Sequence, residues 1–376
     1  MRKLKLGIAG LGRAFALTAP TLARDNRVEV VAATDPRPEA LEKIAGDFGA
    51  KGLASFQDLL KSSAEAIYIA TPHEFHAAQA IAAAAAGKHV LVEKPMALSI
   101  DECRAMSDAA RKHNVHLVVG PSHSFDLPIR KTKELIPQFG SVRMITAINF
   151  TDFLYRPRRP EELESAVLNQ SAHHVDIVRL LAGTPLRSVR AHTAAWDRGQ
   201  GAYSALLSFG ASFATLVYSG YAHFDSDEFT GWVGELGQKK DPSRYGAARR
   251  LLLGTKESAL KAARNYGGPE FKPSEAQFHE HFGPLIVSCD KADLRPLPNG
   301  IMIYADGERR LEPLAPPKAP REGVIDELYE AVVNGRAPLH DAAWGLATIE
   351  ACLAILESAR SGREVPLKHQ TSASRT

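Results

Sequence analysis

The stretch "KLGIAGLGRAF", residues 5–15, joins a short aliphatic run to a glycine-rich turn. Residues that are aliphatic on both faces predict a strand buried within a parallel sheet. Gly10 and Gly12 allow the tight turn and the close backbone approach that a pyrophosphate needs at the N-terminus of the next helix. The third glycine of a GxGxxG pattern is replaced by Phe15, which would alter the packing of helix against strand. The predicted phosphate-binding residues are Gly10, Leu11, Gly12, Arg13 and Ala14.

Aliphatic runs and helical patterns alternate over the rest of residues 1–122. The runs VEVVAAT, AIYIAT, HVLVEK and VHLVVG are further predicted strands, and segments such as RPEALEKIAGDFG have helical periodicity and end at glycine. This alternation predicts βαβ units and therefore a doubly wound parallel sheet. An α/β Rossmann domain is expected over 1–122. An ordinary glycine turn without a ligand is the alternative, disfavoured by the strand before it and the helix after it.

The second predicted strand ends in TDPRP, with Asp35 standing 23 residues after Gly12. A ribose-binding acid is expected about 20 residues beyond the glycines. An aspartate there accepts hydrogen bonds from both ribose hydroxyls and repels a 2′-phosphate, which favours NAD. Arg37 could bind that phosphate, so NADP is also compatible with the sequence.

Two polar stretches follow the fourth and fifth predicted strands, ATPHEFH at 70–76 and EKPMALS at 93–99. Both are expected at the carboxyl ends of strands, where ligands bind in open α/β sheets. Lys94 follows a buried strand, and Pro95 fixes the turn beside it. The cofactor-binding candidates in these stretches are Thr71, Pro72, His73, His76, Glu93 and Lys94.

With GIAGLGRAF, TDPRP, ATPHEFH and VLVEKPMALS in this order, the chain resembles the Gfo/Idh/MocA oxidoreductases. The resemblance covers the first 120 residues closely and about residues 121–225 more loosely. It implies a nicotinamide dinucleotide cofactor and a second domain with an open sheet, often used for oligomerisation. A homo-oligomer, dimer or tetramer, is therefore expected through that sheet.

After residue 122 the strand candidates come as near neighbours. LSFGASFAT predicts a hairpin around Gly210, and LPNGIMIY carries an Asn-Gly turn signal. These patterns predict an α+β domain with an open, mostly antiparallel sheet over 123–366. Residues 367–376 are expected to be a disordered tail.

The stretch LNQSAHHVD, residues 168–176, lies in a helix predicted over about 165–182. Helical spacing puts Asn169, His173 and Asp176 on one face and turns His174 elsewhere. A metal site is disfavoured because adjacent histidines diverge, and HEFH and HEH lack the HExxH spacing. A core histidine and an acid–base histidine remain as interpretations. The dinucleotide domain favours the second, because oxidising a carbinol requires a group that takes the hydroxyl proton.

The resemblance supports this, since its members carry Asp-x-x-x-His ahead of another Asp on this helix. Matched by residue, the histidine is His173, the later aspartate is Asp176, and the first aspartate is replaced by Asn169. His173 and Lys94 are then the candidate bases. Asn169 is then a hydrogen-bonding group for the substrate or the nicotinamide. Asp176 or a backbone group would fix the tautomer of His173.

Arginines accumulate in YRPRRPEE and SRYGAARR. A solvated loop is one interpretation, and recognition of a carboxylate or phosphate is the other. LNQSAHHVD and DSDEFTGWVGELG look most like phthalate dihydrodiol dehydrogenases, which implies oxidation of a cis-dihydrodiol of an aromatic dicarboxylate. A sugar or inositol dehydrogenase and a non-catalytic dinucleotide-sensing regulator are the alternatives. The predicted substrate-binding residues are His123, Arg156, Arg158, Arg159, Asn169, Arg244 and Arg249.

Composition limits the remaining classes of protein. The 376 residues suffice for two domains, and a net charge of +3 is too small to suggest nucleic acid. Three separated cysteines without a CxxC predict neither a disulfide framework nor a thiolate metal site. A secretory signal and a membrane span are not expected either. The sequence therefore predicts a cytoplasmic protein with a small anionic aromatic substrate and no nucleic-acid or membrane partner.

Overall fold

A computed structural model describes residues 2–120, 122–151, 165–196, 199–244, 250–251, 257–273 and 277–373. The chain forms two compact units. The first comprises Met1–Pro121, Lys256–Glu275 and Ala319–Ile349, and the second comprises Ser122–Thr255, Ala276–Lys318 and Glu350–Thr376. The division at 121/122 lies one residue from the expected one. The second unit is not continuous over 123–366 as predicted, because two later segments, 256–275 and 319–349, pack with the first unit.

The first unit contains a parallel sheet whose described strands have the order β3-β2-β1-β4-β5-β6. This order reverses between β1 and β4, where a doubly wound sheet binds its ligand. The strands other than the exposed edge strand β3 are mostly buried aliphatic runs, as predicted for a parallel sheet. Their bounds are β1 Leu4–Ala9, β2 Val28–Thr34, β3 Lys51–Leu53, β4 Ala66–Ile69, β5 His89–Val92 and β6 Leu117–Val119.

Helices connect these strands, and two later segments add to the same unit. α2 ends at Gly49, whose φ of +68° closes the helix in the left-handed region that glycine tolerates. α5 begins after Ser99, whose side chain accepts a hydrogen bond from the Glu102 backbone N–H. The bounds are α1 Arg13–Arg24, α2 Pro38–Phe48, α3 Phe56–Leu60, α4 His76–Ala85, α5 Ile100–Lys112, α8 Glu257–Ala263 and α9 Glu322–Asn334.

The second unit contains a mostly antiparallel sheet with the described order β14-β13-β12-β11-β7-β10-β9-β8-β15. β7 and β10 are a parallel pair within it. The hairpins expected around Gly210 and before Ile301 are present as β9–β10 and β12–β13. The bounds are β7 Val142–Phe150, β8 Ser188–Trp196, β9 Gly199–Ser208, β10 Phe213–Ser219, β11 Leu285–Cys289, β12 Ala292–Leu297, β13 Gly300–Ala305, β14 Glu308–Pro313 and β15 Val365–Pro366.

Helices α6 (Leu127–Leu135) and α7 (Ser165–Ala182) belong to the second unit, and α7 has the predicted bounds. The opposite face of the sheet carries partly exposed apolar side chains. Strand register puts these residues on one face, and each is 36–46% exposed: Met144, Leu206, Phe213, Ile286 and Leu311.

Helix α10 (Ala342–Ser361) is apolar and long enough to cross a membrane. However, 72% of its most apolar window is buried inside the protein, which is typical of a core helix. Residues 367–373 are ordered against the second unit, unlike the disordered tail predicted over 367–376, whose last three residues lie outside the described ones. The Leu367 N–H donates to the Arg187 carbonyl at 2.8 Å, and the backbone N–H groups of Lys368 and His369 donate to the Glu350 carboxylate. These hydrogen bonds attach the segment to the second unit.

Candidate active site

The turn after β1 has the backbone that a dinucleotide-binding glycine turn requires. Gly10 has a φ of +90°, and a Cβ added there would lie 2.7 Å from the Ala70 carbonyl oxygen. Gly10 is therefore required by the fold itself, where the loops after β1 and β4 approach each other. Gly12 differs, because a Cβ added there would meet no described atom within 4 Å. The space in front of Gly12 fits a ligand's phosphate.

Helix α1 begins directly after this turn. Gly12 is its N-cap and, as a glycine, has no side chain to accept from the helix N–H groups. The first backbone N–H groups of α1 can therefore bind an anion. Arg13 is exposed at this end, where its guanidinium donates to the Arg264 carbonyl at 3.5 Å.

The replacement of the third glycine by Phe15 is accommodated by an aromatic cluster. Phe15 is fully buried, with ring centroids 6.3 Å from Phe48 and 4.9 Å from Tyr266. Tyr266 comes from the 256–275 segment that packs with the first unit. A bulky residue at this position is thus part of the unit's core, and the glycine turn keeps its geometry.

Asp35 lies beside the glycine turn, as predicted, and is mostly buried. Its carboxylate accepts hydrogen bonds from the Leu11 backbone N–H at 2.6 Å and from the Arg37 Nε at 2.9 Å. Arg37 also donates to the carbonyl oxygens of Leu11, at 2.6 Å, and Tyr266, at 3.1 Å. Arg37 is therefore held by Asp35 and two carbonyls, and a ribose would share the Asp35 carboxylate with these groups.

Glu93 does not occupy the exposed position expected of a cofactor ligand. It is 5% exposed and accepts from the Tyr68 hydroxyl at 2.6 Å and from Arg321 at 3.4 Å. Arg321 also donates to Ala14 O and Thr18 Oγ1, so it connects α1 to the end of β5. Contact of Glu93 with the cofactor stays a prediction, and in the structure its carboxylate is held inside the unit. Arg321 was not predicted, because it stands 228 residues away from Glu93 in the sequence.

His76 is likewise buried rather than available to a ligand. It is 0% exposed, and its two ring nitrogens lie 3.0 Å from the carbonyl oxygens of Pro95 and Thr71. The ring joins the loop after β4 to the loop after β5, and the predicted contact of His76 with the cofactor stays a prediction. Burial lowers the pKa of His76, although the two carbonyls oppose this shift.

The remaining predicted residues of these two loops lie where a ligand could reach them. Lys94 is half-buried directly after β5, and its peptide bond to Pro95 is cis. Pro72 is exposed after β4, and Thr71 is half-buried with its hydroxyl donating to Gln79 at 2.7 Å. His73 is half-buried, with its ring centroid 5.5 Å from that of His76.

In the second unit, α7 carries two histidines that face different surroundings. His173 is 6% exposed, and its ring centroid lies 4.7 Å from the centroids of the His123 and Phe282 rings. His174 is 1% exposed, and its Nδ1 lies 2.8 Å from the Tyr203 hydroxyl. Burial lowers the pKa of His174 to about 3, and the nearby His123 adds to the shift. His174 is therefore a neutral core histidine.

His123, a predicted substrate ligand, is held by two carboxylates. Its Nδ1 lies 2.7 Å from Asp126 Oδ2, and its Nε2 lies 3.5 Å from Glu235 Oε1. Burial opposes the charged ring, but Asp126 and Glu235 outweigh it and raise the pKa of His123 to about 10. Asp126 and Glu235 were missed by the sequence analysis. The histidine–aspartate spacing of three at the start of α6 is the signal that could have indicated Asp126.

Asp176 is buried and accepts hydrogen bonds from the hydroxyls of Ser122 and of Ser124, the latter at 2.7 Å. Both serines flank His123, so Asp176 holds the loop that carries this histidine. The fixing of the His173 tautomer by Asp176 stays a prediction. Asn169 is half-buried on the same helix, and its Oδ1 accepts from the Gln170 amide at 3.3 Å.

Most of the predicted substrate arginines lie outside the described residues, namely Arg156, Arg158, Arg159 and Arg249. Arg244 ends a short 3₁₀ turn, Pro242–Arg244, and its side chain also lies outside them. Recognition of an anion by these arginines stays a prediction.

Residues 4–121 match the Gfo/Idh/MocA model, described as an oxidoreductase family with an NAD-binding Rossmann fold. The chain is 42% identical over 377 residues to the 1-carboxy-3-chloro-3,4-dihydroxycyclohexa-1,5-diene dehydrogenase of Comamonas testosteroni, covering 95% of each protein. A solved structure of a Bordetella bronchiseptica RB50 protein is 38% identical, with a TM-score of 0.91 over 97% of this chain and all of that one.

The WlbA dehydrogenase of Bordetella pertussis, solved with NADH and UDP-GlcNAcA, has the same fold. It is 23% identical, with a TM-score of 0.68 over 98% of this chain and 99% of that one. The glycine turn, the strand order and the near full-length relative together identify the chain as a member of the Gfo/Idh/MocA oxidoreductase family and an NAD(P)-dependent dehydrogenase.

Proposed function

We propose that this dehydrogenase oxidises a cis-dihydrodiol of a carboxylated aromatic ring, of the phthalate type, to the corresponding dihydroxy aromatic acid. The observation that carries the proposal is the 42% identity over 95% of both chains to a dehydrogenase whose name specifies a carboxylated dihydroxycyclohexadiene. Identity of this extent includes the second unit, where the predicted substrate-binding residues lie.

The reaction moves a hydride and a proton from one carbinol. The bound nicotinamide would supply the hydride acceptor. The C–H electron pair of the carbinol leaves as hydride, its O–H proton passes to a base, and the carbon becomes a ketone. The resulting hydroxycyclohexadienone tautomerises to a catechol, and the gain of aromaticity makes the overall oxidation favourable.

Two groups of this chain are proposed to manage the proton. His173 is the proton acceptor, since an imidazole titrates near neutrality and this ring is buried on the predicted face of α7. Lys94 is proposed to donate a hydrogen bond to the carbinol oxygen and to stabilise negative charge as it develops there. Asn169, on the His173 face of α7, is proposed as a hydrogen-bonding group for the substrate.

A substrate panel tests the proposal. Purified protein would be assayed for NAD⁺ and NADP⁺ reduction with carboxylated cis-dihydrodiols, with the same dihydrodiols lacking the carboxylate, and with inositol and glucose. We expect the highest kcat/KM for the carboxylated dihydrodiols, with a catechol as the product by mass spectrometry. Comparable kcat/KM values for inositol or glucose would overturn the substrate assignment.

We also propose that the chain forms a homo-oligomer through the outer face of its second sheet. Contiguous exposed apolar patches of this kind mark interaction surfaces. We propose a cytoplasmic location as well.

A further inference from the structure

The proposed proton acceptor, His173, is a buried side chain. Oxidation of a carbinol by a nicotinamide dinucleotide releases one proton in each turnover, and the base must lose that proton before it can act again. The His173 ring is only 6% exposed, so solvent has little direct access to it. A neighbouring group that reaches both this ring and solvent would return the base to its neutral form.

Glu235 lies between the buried base and solvent. One polar side-chain atom from each of His123, His173 and Glu235 takes part in a group whose three atoms all lie within 4.8 Å of one another. The Glu235 side chain is 47% exposed, whereas both imidazoles are buried. A separation of this size is bridged by one water molecule or closed by rotation of a glutamate side chain. Glu235 can therefore reach the base from the solvent side.

His123 orients the Glu235 carboxylate. Its Nε2 lies 3.5 Å from Glu235 Oε1, and its Nδ1 lies 2.7 Å from Asp126 Oδ2. Asp126 is itself buried, with 8% of its side chain exposed, so it holds the imidazole in one orientation. Burial disfavours the charged ring, but Asp126 and Glu235 outweigh it and raise the pKa of His123 to about 10. Both ring nitrogens therefore donate near neutrality, one to each carboxylate.

The charge on His123 determines how Glu235 handles a proton. A positive charge 3.5 Å from a carboxylate favours the ionised form, so Glu235 gives up to water a proton that it has taken. The same charge disfavours a second cation on the neighbouring His173 ring, which promotes release of the proton from the base. With His173 protonated, the two imidazolium rings are balanced by the carboxylates of Asp126 and Glu235.

The surrounding residues hold this group in place. The Phe282 ring centroid lies 5.3 Å from that of His123 and 4.7 Å from that of His173, which limits rotation of both imidazoles. The backbone carbonyl of Glu235 accepts a hydrogen bond from the His281 N–H at 3.1 Å. The backbone of Glu235 is therefore fixed, while its exposed side chain can turn between the imidazoles and solvent.

We propose that Glu235 carries the carbinol proton from His173 to solvent. His123 and Asp126 are positioning residues that hold the Glu235 carboxylate for this transfer. The carbinol O–H proton moves to His173 as the hydride leaves carbon. It then moves to a Glu235 oxygen, directly or through one water molecule, and from there to solvent. After this step His173 is neutral and Glu235 is again a carboxylate. The inference rests on the proposed role of His173 and applies to any carbinol substrate.

Glu235→Gln tests the proposal, because glutamine keeps the size of the side chain and cannot carry a proton. We expect kcat to fall by about 10–100-fold, while KM and NADH affinity stay unchanged. Added imidazole buffer should restore kcat in a saturable way in this variant and have no effect on the unmodified protein, since a small base can replace the missing carrier. Glu235→Asp, which keeps a carboxylate, should retain most of the activity.

Glu228→Gln, at an exposed position of the same loop, is the matched control and should behave as the unmodified protein does with and without buffer. Unchanged kcat in Glu235→Gln would overturn the inference. So would a loss of kcat that imidazole does not restore in a variant that folds normally by circular dichroism. The measurements use whichever alcohol of the substrate panel the protein oxidises, so failure of the dihydrodiols would contradict the proposed substrate alone.

Discussion

At the scale of single residues, His173 is the side chain on which the proposed chemistry depends. His173→Ala should lower kcat by about 10² to 10⁴ while NAD⁺ binding is unchanged, because only the handling of the carbinol proton is lost. His174→Ala is the matched control. It should lower thermal stability, since it empties a core position against Tyr203, and leave kcat nearly unchanged. Steady-state kinetics with a fluorescence titration of NADH would separate the two effects. Near-normal turnover in His173→Ala would show that His173 is a core histidine and not the proton acceptor.

Asp35 is the residue that should set the choice between NAD and NADP. The structure adds a reason, because Asp35 also holds Arg37 through the hydrogen bond from Nε. Asp35→Ser would remove the repulsion of a 2′-phosphate and free Arg37 to bind it. The ratio of kcat/KM for NADP⁺ to that for NAD⁺ should rise by about tenfold or more. Asp101→Ser, at an exposed position, is the control. An unchanged ratio would show that Asp35 does not contact the cofactor ribose.

At the scale of elements, the glycine turn offers a test that separates folding from cofactor binding. Gly12→Ala has room within the protein and a compatible φ of −75°, so the fold should be retained and the poorer N-cap should cost at most about 1 kcal/mol. NAD⁺ should bind at least about tenfold more weakly, because the added methyl enters the space proposed for phosphate. Gly10→Ala should instead destabilise the fold by about 1–3 kcal/mol through its positive φ. Calorimetry of both variants checks this, and normal NAD⁺ affinity in Gly12→Ala would contradict the site.

His76 joins the loops after β4 and β5 and should make the first unit sensitive to acid. Burial lowers its pKa below the ordinary 6.5, against the pull of the two carbonyls. Between the folded and unfolded pKa values the unfolded chain binds more protons, so stability falls as the pH drops below about 6.5. The fall in Tm between pH 7.5 and 5 should therefore be smaller in His76→Gln than in the unmodified protein. Equal slopes would show that His76 does not titrate differently in the fold.

The sequence predicted elements that depend on local patterns, and missed what depends on distant contacts. The bounds of α7, the βαβ order and the β9–β10 hairpin follow from periodicity and turn residues, and all three are confirmed. Burial of Glu93 could not be predicted, because its partner Arg321 comes from a segment that joins the first unit late in the chain. The pairing of His123 with Glu235 is hidden for the same reason. Sequence spacing identifies which residues share one face of α7. The candidate active site also includes residues from loops that only the folded chain brings close to that helix.

At the scale of the whole molecule, the outer face of the second sheet should control assembly. Phe213 and Met144 lie directly opposite each other on β10 and β7, and Ile286 continues the same face. Replacing Phe213 and Ile286 together with lysine puts two charges into an apolar surface, so the oligomer should dissociate. Light scattering after size-exclusion chromatography measures the mass. Glu134→Lys, at an exposed position of helix α6 and away from this sheet face, is the control. An unchanged mass for the double variant would exclude this face as the interface.

The proposed reaction is hydride transfer from a carboxylated cis-dihydrodiol to NAD⁺. The most direct measurement follows deuterium from a substrate labelled at both carbinol carbons into the cofactor, with mass spectrometry of the NADH and of the aromatic product. We predict one deuterium in each NADH formed, with the catechol acid in equal amount. Unlabelled NADH, or no NADH from this substrate while a polyol is oxidised, would contradict the proposed function.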